Sequence, residues 1–591
     1  MPVGRVAPHS HIPPSGKGEN PVRKLLTGSE AVAQGAMESG VHVAAVCPGP
    51  VAGDVVAALR RGGTVRCEAL PSEQAAVELA LGAALAGARS LALLPPGGLE
   101  AAATALRAAS CSGGSGMVLV VCDDPGARVA RSGDSRLVAR AAMVPVLEPA
   151  DPREARSFVG EALELSEAFQ TPVVLRLTTR LADSAEAVEI GPPRATVARG
   201  QRVETVLRAL PTGSPSQRAR ALERLGSLAA HGWDTALNRL EMRSAQVGVV
   251  TSGFAYGMVR EAIPDASILK LGLVHPVPTG FVRDFAGRVH RLLVVEELEP
   301  FVESELRAAG IACEGKDRLA RTGELTPALL SHAFGAPWSR PRPPEPVAER
   351  PAELCPGCPH RATFQALKRQ HVTVAGDLDC AHLASLAPLS AVTRAPGVGA
   401  PVAVAAGLEA ALGGRIAGRV AAVLGEDALL HSGAGALAVA AAGTGTVILS
   451  DTCPAEDGGA APGPVEREVP APGGWRVDLP ALVRSLGVAS VRTVDPLDLA
   501  GFTAALHEEL ARPASSALIA RSPCVRLRGG TRPPQRVDPA RCNRCGACLR
   551  LGCPAASDGP DAVVIDPGLC AGCGLCAQVC RSQAIGPEAR S

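Results

Sequence analysis

Eight cysteines crowd into residues 542 to 580, "CNRCGACLRLGCPAASDGPDAVVIDPGLCAGCGLCAQVC". Cys542, Cys545 and Cys548 form one CxxCxxC run, and Cys553 follows it with Pro554 behind. Cys570, Cys573 and Cys576 form the second run, followed by Cys580. Three thiolates on a tight loop grip one face of an iron–sulfur cubane, and the fourth cysteine of each run crosses to the other cluster. The spacing therefore predicts one [4Fe–4S] cluster on Cys542, Cys545, Cys548 and Cys580, and a second on Cys570, Cys573, Cys576 and Cys553. A zinc ribbon is the competing reading, but it uses four cysteines and this segment has eight. Gly546, Gly572 and Gly574 suit a chain wrapped closely around a cluster. Arg581 follows Cys580 where such modules usually place proline. A tail of this kind is an electron outlet, and the rest of the chain has to feed it.

The whole chain has 591 residues and 18 cysteines, with 59 Lys+Arg against 58 Asp+Glu. That length points to three to five domains at roughly 100–200 residues each. A net charge of +1 and an aromatic content of 2% give no footprint for nucleic acid or an anionic membrane. The Ala/Val-rich runs are broken by Arg89, Glu409, Arg415 and Arg419, so no clean membrane span is expected. Residues 1–23 carry no apolar core and read as a flexible leader. A cytoplasmic protein follows, whose cysteines serve metal rather than disulfides.

Short apolar runs ending in Gly, Pro or Asp recur: "VHVAAVCPGP", "SLALLPPGGL", "MVLVVCDDPG", "MVPVLEPADP" and "PVVLRLTTR". Ala-rich helical segments separate them, which predicts a parallel α/β unit with ligand loops at the strand ends. A second α/β unit spans 245–335. The Pro/Arg/Glu stretch 336–353 reads as a linker, and a third α/β unit covers 354–525. The cluster module occupies 535–591. The third unit opens with "LCPGCPHRA", in which Cys355 and Cys358 form an isolated CxxC. On pattern alone that pair is a loop cysteine pair or a redox CxxC.

Nearly the whole chain resembles the large (alpha) subunits of indolepyruvate ferredoxin oxidoreductases, in the 2-oxoacid:ferredoxin oxidoreductase superfamily. The stretches that carry the resemblance are "DDPG…DSR…VPVLEPADPREA…ELSE…TPVVLRLTTR", "ILKLGLVHPVP", "LLVVEELEPF", "LCPGCPHRA" and the tail, in that order. The resemblance implies a thiamine pyrimidine-binding domain over 24–240, a transketolase-C-terminal-like domain over 245–335 and a thiamine diphosphate-binding domain over 354–525. It implies oxidative decarboxylation of an aryl or branched 2-oxoacid, coenzyme A as acyl acceptor, ferredoxin as electron acceptor, and a smaller beta subunit in a heterotetramer.

The resemblance also places residues. Glu73, in "PSEQAAVELALGAALAGA", falls on the glutamate that bonds the aminopyrimidine; read locally, it is an acid at a helix N-terminus behind Ser72. Gly425-Glu426-Asp427 and "LSDT" (449–452) fall on the motifs that hold Mg²⁺ and the diphosphate. Glu426 and Asp451 stand where Asp and Asn or Thr are usual, and the Cys453 carbonyl is the third ligand. Read locally, these are two acids on solvated loops. Cys355, Cys358, Cys380 and Cys524 fall in the order of a proximal [4Fe–4S] cluster. Pro50 replaces a threonine in the loop "CPGPVAG" (47–53), "GAPVA" (399–403) replaces a "GASIG" loop, and Asp379 enters "GDLDC". These departures keep two alternatives open, a thiamine enzyme for another 2-oxoacid and a non-catalytic electron-transfer subunit. His360 and Arg361 read as a satisfied polar pair at a helix start, His431 has no assigned role, and Glu296-Glu297 serve domain packing or a solvated turn.

Overall fold

The computed structural model describes residues 22–49, 51–126, 133–194, 215–232, 235–335, 353–378, 380–394, 397–413, 418–452, 477–526 and 532–588. It is a mixed α/β chain built on three predominantly parallel sheets with a small cluster-type module at the end.

All five apolar runs of the first unit are strands: Val43–Val46, Ser90–Leu93, Met117–Asp123, Val146–Leu147 and Val173–Thr178. Helices cover both faces, so Met117–Asp123 and Val173–Thr178 are buried along their full length and tolerate no polar alternation. The helices start on side-chain caps. Ser72 accepts from Ala75 N–H at the head of Glu73–Leu85, and Asp151 caps Pro152–Phe169 with proline in the first turn.

The first sheet has seven strands, and its outermost strand is borrowed. Leu273–His275, from the second unit, lies antiparallel on Val146–Leu147. In the other direction, Arg239–Glu241 leaves the first unit and forms the antiparallel edge of the second sheet, against Ser267–Leu271. One continuous core therefore joins the two units, from Ala76 and Leu119 to Val250 and Phe285. Val22 and Arg23, placed by sequence in the leader, belong to the strand Val22–Thr27 and pair with Ile190 and Glu189. That pairing has alternating polar residues on a two-stranded ribbon, too weak a pattern to read beforehand.

The third unit carries six parallel strands, ordered Thr393–Arg394, Thr373–Gly376, Val420–Gly425, Thr446–Asp451, Ser516–Arg521, Ser490–Val494. Its core runs without a break into the tail, from Phe364 and Phe502 to Leu551, Leu575 and Val579. Gln578 fastens the joint: it accepts from Leu499 N–H at 2.9 Å and donates to the Leu497 carbonyl at 2.8 Å. The greater part of the linker, 336–352, lies outside the described residues. Among the described residues no helix is long and apolar enough to cross a membrane.

Candidate functional site

In open parallel sheets, ligands bind beyond the carboxyl ends of the strands. Several residues singled out by sequence collect there. Cys47 follows Val43–Val46, Glu73 follows Arg66–Ala69, and Gly425 and Asp451 end their own strands. The structure adds Asp377, after Thr373–Gly376, and Arg521, at the end of Ser516–Arg521.

Glu73 is 1% exposed. Its Oε2 lies 2.5 Å from Nε2 of His431, which belongs to the third unit. The carboxyl-end faces of the first and third sheets thus meet at this pair. His431 sits in a single π-helical turn, Leu429–Gly433, two residues after Asp427 of the GED turn. Such turns are over-represented at functional sites. Its Nδ1 is 3.1 Å from Ser432 Oγ, which donates to the Val398 carbonyl. Asp377 closes the same loop by accepting from Gly399 N–H at 2.8 Å. Gly399 has φ +71°, and a Cβ there would come within 2.5 Å of Ser432 Oγ and 2.7 Å of Gly433 N. Only glycine lets the "GAPVA" loop approach the π-turn this closely. Beside Glu73, the Pro95–Gly98 turn is also close, though less so, since a Cβ at Gly98 would stand 3.0 Å from Glu73 Cγ.

Val51 has φ +68°, unusual for a β-branched residue, at the head of the helix Ala52–Gly62. Backbone strain of this sort gathers at ligand loops. Pro50 beside it, Asp379 and Cys453 lie outside the described residues.

Glu426 opens the turn after Val420–Gly425, and Asp427 beside it is exposed. Asp451 is buried rather than on a solvated loop, and Arg521 Nε donates to its Oδ2 at 2.7 Å. The two face each other across adjacent strands. Arg521 thus holds one oxygen of the carboxylate on which the resemblance places a Mg²⁺ contact, as outer groups commonly do for ligating carboxylates, and Arg521 was not visible as its partner before the strand register was known. Among the described residues no three His, Cys, Asp or Glu side chains close on one ion-sized point.

The thiols fall into three groups. Cys542, Cys545, Cys548 and Cys580 line one cavity, with Ser582 and Ile585. Burial pushes the Cys548 thiol up, and the adjacent thiols of Cys580 and Cys542 add to the effect. Burial likewise pushes Cys576 up to about 12, reinforced by Cys573, Cys570 and Cys553. Four neighbouring sulfurs, most of them at least partly enclosed, are a soft donor set fitted to an iron–sulfur cluster. In the third group burial pushes Cys358 up to about 12, with Cys355 and Cys524 nearby. Cys380 opens the short helix Cys380–Leu383 and packs on the same core. Cys524 N–H donates to the Thr452 carbonyl at 2.9 Å, tying this group to the strand end that carries Asp451. All of these cysteines are free thiols.

The CxxC loop touches the tail directly. A Cβ on Gly357 (φ +78°) would lie 2.6 Å from Ala571 Cβ, between Cys570 and Cys573. Arg361, from the same motif, reaches carbonyls on both sides of this contact. His360 is buried, and burial draws its imidazole down to about 4.

Glu296 and Glu297 are buried, so the solvated-turn alternative falls. Arg136 Nη1 donates to Glu296 Oε2 at 2.6 Å, Nη2 to Asp134 Oδ2 at 2.6 Å and to the Glu297 carbonyl at 2.8 Å. Arg176 joins Asp123 to Glu148, and Ser252 donates to Glu148 at 2.6 Å. The "DDPG", "DSR", "VPVLEP" and "VVEELEP" motifs are thus one buried charge network between the first two units.

The 4Fe-4S binding domain family matches residues 563–586. Over 627 residues the chain is 31% identical to the indolepyruvate oxidoreductase subunit IorA of Methanothermobacter marburgensis, spanning 98% of each. It is 30% identical to the subunit of that name from Thermococcus kodakarensis, over 96% of this chain and 97% of the relative. A solved 2-oxoglutarate:ferredoxin oxidoreductase from Magnetococcus marinus, with 2-oxoglutarate, coenzyme A and succinyl-CoA bound, is 19% identical. It aligns with a TM-score of 0.45 over 53% of this chain and 65% of that one.

Proposed function

Because the chain belongs to the family of indolepyruvate oxidoreductase IorA subunits, we propose that it catalyses oxidative decarboxylation of an aryl, indolepyruvate-like 2-oxoacid. The products are the acyl-CoA, CO₂ and reduced ferredoxin. The observation that carries this reading is the meeting of Glu73 with His431 beside the Gly425–Asp427 turn. It joins the carboxyl ends of two sheets into one cleft from residues of a single chain.

Thiamine diphosphate, when bound, supplies the electron sink for decarboxylation. Glu73 is the residue that would hold the aminopyrimidine and exchange a proton with it; its burial would keep water from competing. The Gly425-Glu426-Asp427 turn would receive the diphosphate, with Glu426, Asp451 and the Cys453 carbonyl as the residues that would hold Mg²⁺. Arg521 holds the other side of the Asp451 carboxylate. Cys355, Cys358, Cys380 and Cys524 would hold a cluster, on a loop that lies against Ala571 of the tail. The eight tail cysteines would hold two more, and together the clusters would supply one-electron transfer toward an external ferredoxin. A smaller beta subunit completes a heterotetramer, which works in the cytoplasm.

The test is a panel of 2-oxoacids with a dye acceptor on anaerobically purified protein, combined with iron and thiamine diphosphate per chain. About 12 irons and turnover of aryl 2-oxoacids support the reading. About 8 irons with no retained cofactor would instead favour a non-catalytic electron-transfer subunit, an alternative that Glu426 and Asp451, in place of the usual Asp and Asn or Thr, motivate. Full cofactor with turnover of a different 2-oxoacid would identify a diverged specificity.

A further inference from the structure

Arg361 is 2% exposed and stands on the helix His360–Arg369, three residues after Cys358. Its two terminal nitrogens reach opposite ways. Nη2 donates to the carbonyls of Leu354 at 2.6 Å and Cys355 at 3.3 Å, in the CxxC loop. Nη1 donates to the carbonyls of Leu551 at 2.6 Å and Gly552, in the turn that delivers Cys553. A planar fork can span two loops in this way; a point-charge ammonium cannot.

Every one of these acceptors is a neutral carbonyl. Among the described residues Arg361 donates to carbonyls alone, and its Nε has no hydrogen-bond partner. Burying an uncompensated cation is costly. It stands between cysteines: one nitrogen holds the Cys355 carbonyl, and the other holds the carbonyl of Gly552, the residue before Cys553. Four thiolates give a loaded [4Fe–4S] site net negative charge. The missing counter-charge is thus present on both sides of the guanidinium once clusters are in place.

We propose that Arg361 is a positioning residue for electron transfer: it is the shared counter-cation of the cluster on Cys355, Cys358, Cys380 and Cys524 and of the tail cluster on Cys553, Cys570, Cys573 and Cys576, and its two-way hydrogen bonds fix the gap between them. This rests on the cluster assignment above. In the step it serves, one electron leaves the first cluster, which is oxidised, and enters the second, which is reduced; no proton or bond is exchanged. The cation favours the more negative, reduced state of each.

The experiment uses the full chain, anaerobically purified, as wild type, Arg361→Lys and Arg361→Gln. Iron per chain is counted, and the clusters are titrated with dithionite under EPR, without substrate. Arg361→Gln is expected to keep its iron and to shift the reduction equilibrium of the flanking clusters about tenfold toward the oxidised form, which is ~59 mV for a one-electron couple. Arg361→Lys, which keeps the charge and loses the fork, is expected to hold the wild-type midpoints within a third of that shift. Midpoints in Arg361→Gln that match wild type would overturn the proposal. So would equal shifts in the two variants, or loss of tail iron in both, since either makes the role one of packing. About 8 irons in the wild-type protein would sink the underlying cluster assignment and the proposal with it. About 12 irons with unmoved midpoints would sink the proposal alone.

Discussion

Glu73 and His431 are 358 residues apart in sequence and 2.5 Å apart in space, one from each of the two units that share the candidate cleft. A buried carboxylate at a helix start has a bland explanation, stabilisation by the helix dipole. An exposed capping acid would serve that purpose equally well. Burial against a histidine of another unit asks for a second reason, and the proton-handling contact proposed above would supply it.

Glu73→Gln keeps the shape and removes the acid. Turnover of 2-oxoacid with a dye acceptor should fall by roughly 10²–10⁴-fold, with iron per chain unchanged. A loss of less than fivefold would return Glu73 to a helix-start role.

Cys580 belongs by sequence to the second run and by position to the first. Cys580→Ala should therefore remove the cluster of Cys542, Cys545 and Cys548, lowering the count by about 4 irons. The EPR signal of the cluster on Cys553, Cys570, Cys573 and Cys576 should persist. Loss of that signal instead would refute the crossed arrangement.

Gly357→Ala places a Cβ 2.6 Å from Ala571 at a backbone angle that disfavours side chains. The two loops must part by more than an ångström. Reduction of the tail clusters by substrate, followed by stopped-flow absorbance, should slow at least several-fold while the iron content holds. An unchanged rate would show that electrons do not cross here.

Arg136 is fully buried and serves Asp134, Glu296 and two backbone carbonyls. Arg136→Ala leaves those acids uncompensated, at a cost of roughly 3–5 kcal/mol. The melting transition of the first two units should drop sharply. An Arg136→Ala protein that melts like wild type would show that the network is not what holds them together.

His275 is buried against Phe301, with no hydrogen-bond partner for either ring nitrogen, and burial draws its imidazole down to about 4. Between pH 6.5 and about 4 the unfolded chain takes up a proton there that the folded chain refuses. Stability is then complete above that window and is lost as the pH falls through it. His275→Phe should flatten this part of the stability–pH curve in denaturant melts. Equal slopes for the two proteins would count against it.

The cysteine runs were legible because ligand spacing is local, and the five strands because buried parallel strands are unbroken apolar runs. The Asp451–Arg521 pair was not legible. It depends on which strand lies beside Thr446–Asp451, and 64 residues of chain separate that strand's end from the start of Ser516–Arg521. The same holds for Glu296-Glu297, which look like a solvated doublet until Arg136 arrives from the first unit. His431 carried a weak local signal, a polar residue within an apolar turn, but its partner came from the far end of the chain.

The exchange of edge strands between the first two units also governs how the chain can be made. Val146–Leu147 is an open edge until Leu273–His275 covers it, and open edges invite pairing with other chains. A nascent chain has to extend more than 120 residues beyond Val146–Leu147 before that edge is closed. A fragment cut near residue 245 would keep the edge permanently bare, so the first unit is expected to aggregate when expressed alone and to behave as a folding partner of the second rather than as a free-standing module.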